Sequence, residues 1–294
     1  MEESKQLIDY GGIDFDASLP VTLRNSLYPA IDPRSAFDSK SFAGKAVLIT
    51  GASRGIGQTV ALFYATAGAA VALVARSSLD QTTALLAGAA PDAKILTFVG
   101  DVRDSQRAEE VVKETVGRFG KLDVLVANAG VSNPFTKRMG EVDAKEWWNT
   151  LEVNLFGVFN YVRASLEHLN NALGYAVVLT STGAIARTPC GSDYLHALVR
   201  LVELIPLEYP SVKTFALHPG AVDTALAIGA GMPKDALIDS PELAAGTILA
   251  LTSGRFDWLR SRYVEATWDL GEVERDWKDK IVGKKTLVNA LALP

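Results

Sequence analysis

Short apolar segments alternate with longer segments of helical period from Lys45 onward. The short segments are near-continuous rather than alternating, which is typical of strands that are covered on both faces of a sheet. The pattern therefore predicts repeated strand–helix–strand units. The predicted strands are Ala46–Thr50, Ala70–Ala75, Lys94–Val99, Leu122–Ala127, Tyr175–Thr180 and Val212–Leu217. The predicted helices are Ile56–Ala67, Ser105–Phe119, Ala144–Leu169, Asp193–Glu208 and Pro241–Leu251.

These units predict an α/β fold, a Rossmann-type doubly wound parallel sheet in a single domain, because crossovers between parallel strands are right-handed. Residues 1–43 contain three prolines and no clear period, so we expect an irregular N-terminal extension that wraps the domain or stays mobile. The dinucleotide-binding domain is expected over residues 44–294, with a substrate flap at about 221–240 and a C-terminal tail.

Composition and charge exclude several classes of function. The net charge of −5 gives no electrostatic case for binding nucleic acid or an anionic membrane. No apolar run approaches the roughly 20 residues of a membrane span, and the N-terminus lacks the features of a signal peptide. A single cysteine, Cys190, is typical of a reducing compartment. We therefore expect a cytoplasmic protein, and no metal site is predicted.

The segment Thr50-Gly51-Ala52-Ser53-Arg54-Gly55-Ile56-Gly57 follows the first predicted strand and opens the first predicted helix. Gly51 permits a tight turn, and Gly55 and Gly57 remove side chains where a pyrophosphate must approach the backbone. The start of the helix then offers unpaired N–H groups and the positive end of its dipole to the phosphates. Because the glycines lie between a strand and a helix, they predict a dinucleotide site.

The end of the second predicted strand indicates which dinucleotide binds. An acidic residue there would hold a 2′-hydroxyl and repel a 2′-phosphate, but the chain reads Val74-Ala75-Arg76-Ser77-Ser78. Arg76 and Arg54 can pair with a 2′-phosphate by charge-assisted hydrogen bonds, and Ser77 can add a hydroxyl. The cofactor is therefore predicted to be NADP(H). The alternative is that Arg76 is a solvated residue at a strand end.

Further motifs follow in order: Gly100-Asp101-Val102, Asn128-Ala129-Gly130, Asn154 within Val153–Gly157, and Pro219-Gly220-Ala221-Val222-Asp223-Thr224. With the glycine turn they resemble the short-chain dehydrogenase/reductase family over about Lys45 to Thr224, and the tail resembles fungal members more loosely. The resemblance implies a set of cofactor-binding residues: Gly51, Ser53, Arg54, Gly55, Ile56, Gly57, Arg76, Ser77, Asp101, Val102, Asn128, Ala129, Gly130, Tyr194, Pro219, Gly220, Val222 and Thr224.

The same resemblance implies Asn154, Ser181 and Tyr194 as catalytic residues. Ser181 precedes Tyr194 by the family's spacing of 13 residues. Ser181 would hydrogen-bond the substrate carbonyl oxygen, while Tyr194 would give or take the proton that accompanies hydride transfer. The alternative is a strand-end cap at Ser181 and a buried aromatic residue at Tyr194.

One position departs from the family's Tyr-x-x-x-Lys motif, because Leu198 stands four residues after Tyr194. In the family this lysine holds the nicotinamide ribose and lowers the pKa of the tyrosine, which otherwise titrates near 10. His196 and Arg200 are the nearest possible substitutes, but both fit surface positions better. Glu208 lies 14 residues after Tyr194, whereas the corresponding glutamate of relatives lies about 17 after it.

The departure has three explanations. The sequence lacks three residues of the natural chain, or the protein is a weakened or altered catalyst, or it binds the cofactor without redox activity. We favour the first because the other catalytic residues are present.

The predicted function is NADP(H)-dependent hydride transfer between nicotinamide and a carbonyl or secondary alcohol of a small to medium apolar substrate. The alternatives are a non-redox regulator and an epimerase or dehydratase. The expected substrate pocket is lined by residues 225–239 and by Asn133, Pro134, Phe135, Ile185, Ala186 and Leu226. Trp147 and Trp148 cannot both face one side, so one is expected in the core and the other in a subunit contact. The resemblance implies a homodimer or homotetramer.

Overall fold

The computed structural model describes residues 19–133, 139–185 and 193–290, without the side chains of Met139, Asp193 and Tyr194. Seven strands within these residues form one parallel sheet, in the order β3-β2-β1-β4-β5-β6-β7. The strands are β1 Ala46–Thr50, β2 Ala70–Ala75, β3 Ile95–Val99, β4 Val124–Ala127, β5 Tyr175–Leu179, β6 Lys213–His218 and β7 Arg262–Glu265. The strand order reverses between β1 and β4, and such a switch point is where open α/β sheets bind ligands.

Helices connect the strands. They are α1 Arg34–Ser39, α2 Gly55–Thr66, α3 Asp80–Ala89, α4 Ser105–Phe119, α5 Ala144–Leu151, α6 Gly157–Ala172, α7 Asp193–Glu208, α8 Ala225–Gly229, α9 Pro241–Leu251, α10 Leu270–Glu272 and α11 Lys278–Lys284. Helix α2 packs against α9 and α4 packs against α6. No helix among these described residues is long and apolar enough to cross a bilayer.

The predicted α/β fold with a doubly wound parallel sheet is confirmed. The central strands are apolar on both faces, and Val47, Leu48 and Ile49 of β1 have no exposed surface. Strand β7 and helices α1, α3, α8, α10 and α11 were not predicted. Strand β7 is only four residues long, and α3 follows β2 where the polar sequence from Asp80 gave a weak helical pattern.

The predicted helix over 144–169 is interrupted, which corrects the sequence-based expectation. A π-helical turn over Glu152–Phe156 separates α5 from α6. Such turns insert one extra residue into a helix and are frequent at functional sites. Asn154, one of the predicted catalytic residues, lies inside this turn.

The N-terminal segment packs against the C-terminal part of the chain. The Tyr28 hydroxyl donates to the Trp268 carbonyl at 2.7 Å and accepts from the Leu270 amide at 3.0 Å. Arg24 forms an ion pair with Asp269 at 2.7 Å. The segment that carries Arg24 and Tyr28 therefore contacts residues 268–270, and the irregular sequence pattern did not predict helix α1, which follows it.

Candidate functional site

A cleft of about 820 Å³ opens at the carboxyl ends of strands β1 to β6. The predicted site residues whose side chains are described all line it: Gly51, Ser53, Arg54, Gly55, Ile56, Gly57, Arg76, Ser77, Asp101, Val102, Asn128, Ala129, Gly130, Asn154, Ser181, Pro219, Gly220, Val222 and Thr224. Tyr194 lies in the first turn of α7, and its side chain is outside the described residues. The cleft reaches from the end of β2 to the start of α7.

The glycine turn leaves room only for backbone. A Cβ atom added at Gly57 would lie 2.4 Å from the Gly51 carbonyl oxygen and 2.5 Å from Asn128 Nδ2. The Asn128 amide donates to the carbonyls of Thr50 at 2.8 Å and Gly51 at 3.2 Å, which fixes the turn against the end of β4. Arg54, which caps α2, makes no side-chain capping hydrogen bond, so the first N–H groups of α2 remain open to a ligand. These features fit the pyrophosphate of a dinucleotide.

Two guanidinium groups lie at the β2 end of the cleft. Arg54 and Arg76 are exposed and line the cleft, and neither guanidinium group forms a hydrogen bond or ion pair with another described residue. Ser77 Oγ donates to Ser53 Oγ at 3.1 Å, which ties the loop after β2 to the glycine turn. The arrangement offers two free cations to an anionic group.

Asp101 follows β3 in the same wall. Its carboxylate pairs with the Arg103 guanidinium at 2.7 Å and accepts from the Arg103 backbone amide at 3.0 Å. The hydrogen bonds from Arg103 hold the pKa of Asp101 below its usual range, and the charge of Arg76 acts in the same direction. Asp101 is therefore a fixed anion at neutral pH.

Asn154 is buried and clamps the loop after β4. Its Nδ2 donates to the Val131 carbonyl at 2.7 Å, and its Oδ1 accepts from the Val131 amide at 2.8 Å. Gly157 follows the π-helical turn, and a Cβ atom there would lie 2.5 Å from Val102 Cγ2. The π-helical turn thus brings the helix close to the walls formed after β3 and β4.

Ser181 follows β5 at the opposite end of the cleft from Arg76. Its Oγ accepts a hydrogen bond from the Gly183 amide at 3.3 Å and caps a short 3₁₀ turn over Thr182–Ala184. Ser181 therefore acts as a cap, which was the alternative interpretation of this residue, and its side chain also lines the cleft.

Leu198 occupies the wall where the family's lysine would stand. It is 1% exposed, and it lies in the apolar stripe of α7 that also contains Leu195, Val199 and Val202. Among the described residues, Arg54 and Arg76 are the lysine or arginine side chains that line the cleft, and both lie at the far end. No described lysine or arginine therefore supplies positive charge beside Ser181.

The two possible substitutes for that lysine lie outside the cleft wall. The exposed His196 places Nδ1 3.0 Å from the Ala184 carbonyl. Arg200, also exposed, forms an ion pair with Glu203 at 2.7 Å. Neither side chain lines the cleft.

Sequence reasoning missed His218, which ends β6 and lines the cleft. Its Nδ1 is buried and has no hydrogen-bond partner among the described residues. Burial lowers the pKa of His218 to about 4, so the imidazole is neutral at physiological pH. Its place directly before the Pro219-Gly220 motif was the available signal.

Only some of the residues that were expected to line the substrate pocket lie in the wall of the cleft. Asn133 and Leu226 line the cleft, whereas Ile185 is partly exposed outside its wall. Ile185 ends the 3₁₀ turn that Ser181 caps, and its side chain is exposed to solvent there. Pro134, Phe135 and Ala186 lie outside the described residues.

The two adjacent tryptophans also differ from the expectation, because neither packs in the core. Trp147 lines the cleft, while Trp148 is 55% exposed and donates through Nε1 to Glu152 Oε1 at 3.0 Å. The short helix α5 lies at the molecular surface, so one of its faces meets the cleft and the other meets solvent.

The predicted flap contains α8 and is fixed at its base. The Asp239 carboxylate accepts from the Ala221 amide at 2.6 Å, and Val222 pairs with Asp239 in a parallel bridge. Leu226, Ala230 and Met232 present apolar surface to the cleft between these two ends.

Comparisons with known proteins agree with this geometry. A family model described as short chain dehydrogenase matches residues 45–232. Short chain dehydrogenase mpl6 of Monascus purpureus is 39% identical over 279 residues, which cover 90% of this chain and 93% of that protein. Short chain dehydrogenase pigC of Monascus ruber is 38% identical over 283 residues, covering 91% of each chain.

A solved structure shows the same fold. The alcohol dehydrogenase from Thermococcus sibiricus, complexed with 5-hydroxy-NADP, is 35% identical with a TM-score of 0.66, and the match covers 75% of this chain and 95% of that one. Both the sequence matches and the arrangement of the cleft show that this chain belongs to the short-chain dehydrogenase/reductase family of oxidoreductases.

Proposed function

We propose that the protein is an NADP(H)-dependent oxidoreductase that interconverts a carbonyl and a secondary alcohol on a small to medium apolar substrate. The observation that carries this proposal is the pair of free guanidinium groups, Arg54 and Arg76, beside the open start of α2. Two unpaired cations at this point favour a 2′-phosphate over a 2′-hydroxyl. The related Thermococcus sibiricus enzyme was solved with an NADP derivative, which supports the same choice.

The glycine turn and the first amides of α2 would hold the pyrophosphate, and Arg54, Arg76 and Ser77 would hold the 2′-phosphate. Asp101 and Val102 would contact the adenine end. Asn128, Ala129, Gly130 and the loop from Pro219 to Thr224 would enclose the nicotinamide half. When bound, the cofactor supplies or accepts the hydride.

The chain's own residues would handle the proton and the carbonyl oxygen. Ser181 would donate a hydrogen bond to that oxygen, and Tyr194 would deliver the proton in reduction or accept it in oxidation. Asn154 would keep the loop after β4 in place through its two hydrogen bonds to Val131. This division of roles follows the family resemblance and the position of Ser181 in the cleft wall.

A second candidate is a cofactor-binding relative with lost or altered catalysis, acting as a non-redox regulator or as an epimerase or dehydratase. Leu198 favours it, because an apolar side chain lines the wall where a cation would lower the pKa of Tyr194.

The remaining proposals concern substrate, assembly and location. Trp147, Leu226 and Met232 give the substrate side an apolar lining, which favours an apolar substrate. The exposed Trp148, Phe156 and Phe159 on the α5–α6 surface support a homodimer or homotetramer. A cytoplasmic location remains a prediction from the single cysteine.

The test is NADPH oxidation with a panel of ketones and aldehydes, using the wild type, Tyr194→Phe and the control Tyr209→Phe at the end of α7. We expect turnover in the wild type and the control, and its loss in Tyr194→Phe with NADPH binding retained. If the wild type binds NADPH but turns over no carbonyl or alcohol, the second candidate is correct. Full activity in Tyr194→Phe would contradict the assigned proton donor.

A further inference from the structure

His218 is the cleft-lining group to which the proposed function gives no role. It ends β6, directly before the Pro219-Gly220 loop, and it lines the same cleft as Ser181 and Leu198. Its Nδ1 is buried and has no hydrogen-bond partner among the described residues.

The direction of the side chain follows from the hydrogen bonds of its neighbours. Thr214 Oγ1 donates to the Val202 carbonyl of α7 at 2.7 Å. Because side chains alternate along a strand, His218 lies on the same face of β6 as Thr214. The face that carries His218 is therefore the one that α7 covers.

Its position along α7 follows from the strand register. Leu179 pairs with Leu217, so Thr180 lies beside His218 on the neighbouring strand. Thr180 Oγ1 donates to the Leu195 carbonyl at 3.4 Å. The imidazole therefore lies beneath the first turn of α7, which also carries Tyr194.

The two ring nitrogens have different surroundings. Nδ1 is buried with no partner among the described residues, and His218 lines the cleft, so Nε2 is the ring nitrogen left to meet a ligand there. A buried N–H without an acceptor costs more than a buried nitrogen lone pair, so the proton belongs on Nε2. Since burial keeps the ring neutral, Nε2–H is an uncharged donor in the cleft wall.

The ligand that meets this donor follows from the layout of the cleft. The phosphate-binding features, namely the start of α2 with Arg54 and Arg76, lie at the opposite end. Leu195 and Leu198 supply no donor around His218. The oxygen atoms of a dinucleotide that reach this end are those of the second sugar and of the nicotinamide carboxamide. The proposed function gives the nicotinamide ring to the loop from Pro219 to Thr224, which leaves the sugar hydroxyls for His218.

We infer that His218 is a positioning residue whose Nε2–H donates a hydrogen bond to a sugar hydroxyl in the nicotinamide half of the bound dinucleotide. This inference rests on the proposed function, because it requires a dinucleotide in the cleft. His218 would supply part of the sugar contact that no lysine among the described residues is placed to make, without supplying a positive charge.

Three variants of the full chain separate the two ring nitrogens. His218→Gln places an amide near the position of Nε2, His218→Asn places one near Nδ1, and His218→Leu removes both polar atoms. The dissociation constants of NADPH and of adenosine 2′,5′-bisphosphate are measured for each by calorimetry. The bisphosphate fills only the Arg76 end of the cleft, so it serves as the matched control ligand.

We expect NADPH to bind about tenfold more weakly to His218→Leu and His218→Asn, as loss of one hydrogen bond predicts, and within about threefold of wild type to His218→Gln. The bisphosphate should bind all three as it binds the wild type. Equal NADPH affinity in wild type and His218→Leu would overturn the inference. Weaker binding of both ligands to all three variants would overturn it as well, because it indicates a general loss of structure.

A second measurement does not depend on any variant folding. The protein has three histidines, so the ring ¹⁵N signals of His218 can be followed individually by NMR. NADPH should shift the Nε2 signal, and the bisphosphate should not. An unmoved signal under saturating NADPH contradicts the inference alone, whereas failure of the wild type to bind either nucleotide contradicts the proposed function as well.

Discussion

The side-chain amide of Asn154 hydrogen-bonds both backbone polar groups of Val131, at 2.7 Å to the carbonyl and 2.8 Å from the amide. The Asn154 side chain therefore pairs with the N–H and C=O groups of Val131 as the backbone of a neighbouring strand would. The contact holds the loop after β4 against the π-helical turn and fixes one wall of the cleft. Asn154 is therefore a structural element of the site whatever else it does.

The variant Asn154→Ala should lower the free energy of unfolding by about 2 kcal/mol, because two partly buried hydrogen bonds are lost together. Urea denaturation of the apoprotein measures this directly. The control Asn171→Ala, at an exposed position on α6, should change it by less than about 0.5 kcal/mol. Equal stability of the two variants would show that the clamp on Val131 contributes little.

The variant Arg76→Ala should weaken NADPH binding by about 10- to 100-fold, the effect of losing charge-assisted hydrogen bonds to a phosphate. NADH lacks that phosphate, so its affinity should change less than about threefold, and the preference for NADPH should fall accordingly. Calorimetric titration with both nucleotides gives the two constants.

The control for that experiment is Arg118→Ala, which removes the same charge from an exposed position on α4 outside the cleft. It should leave both constants unchanged. If Arg76→Ala and Arg118→Ala weaken NADPH binding equally, the effect is one of net charge and the assignment of Arg76 is wrong.

Glu265 predicts a pH dependence of stability. It is 6% exposed, accepts hydrogen bonds from the hydroxyls of Tyr263 and Thr267, and has no cation within ion-pair distance among the described residues. Burial raises its pKa above the ordinary value of 4.5. Between pH 4.5 and the raised pKa the folded protein holds more protons than the unfolded chain, so the contribution of Glu265 to stability falls as pH rises.

The variant Glu265→Gln removes that titration. The free energy of unfolding of the variant minus that of wild type should be more positive at pH 7 than at pH 4, as measured by urea denaturation at both values. For Glu114→Gln, at an exposed position on α4, the difference from wild type should be the same at both pH values. A pH-independent difference for Glu265→Gln would contradict the raised pKa.

Much of the fold could be predicted from sequence because the parallel strands are continuous apolar runs bounded by turns. Strands β1 and β2 and helices α4, α7 and α9 match their predicted limits. Strand β7 was missed because it is short, and the π-helical turn at Asn154 was missed because it interrupts the helical period by one residue only. Asn154 within this turn hydrogen-bonds Val131, a tertiary contact that the sequence pattern does not contain.

The parts of the candidate site that consist of sequence motifs could be predicted. The parts whose position depends on tertiary packing could be predicted less well. The glycine turn and the loop from Pro219 to Thr224 meet in one cleft because both follow parallel strands. The place of His218 before Pro219-Gly220 was visible in the sequence, but its buried and unpaired Nδ1 depends on packing and could not be predicted. Whether Trp147 faces the core or the cleft likewise depends on how α5 lies on the surface.

The central claim is that this cleft transfers hydride from NADPH to a carbonyl carbon. Single-turnover reactions with NADPH deuterated at the transferring position of nicotinamide C4, followed by mass spectrometry of the products, test it most directly. We predict one deuterium in the alcohol formed from an apolar ketone or aldehyde, and oxidised NADP in equal amount. Saturating NADPH with no deuterium in any product would contradict the account, and a rearranged or dehydrated product without net cofactor oxidation would identify the epimerase or dehydratase alternative.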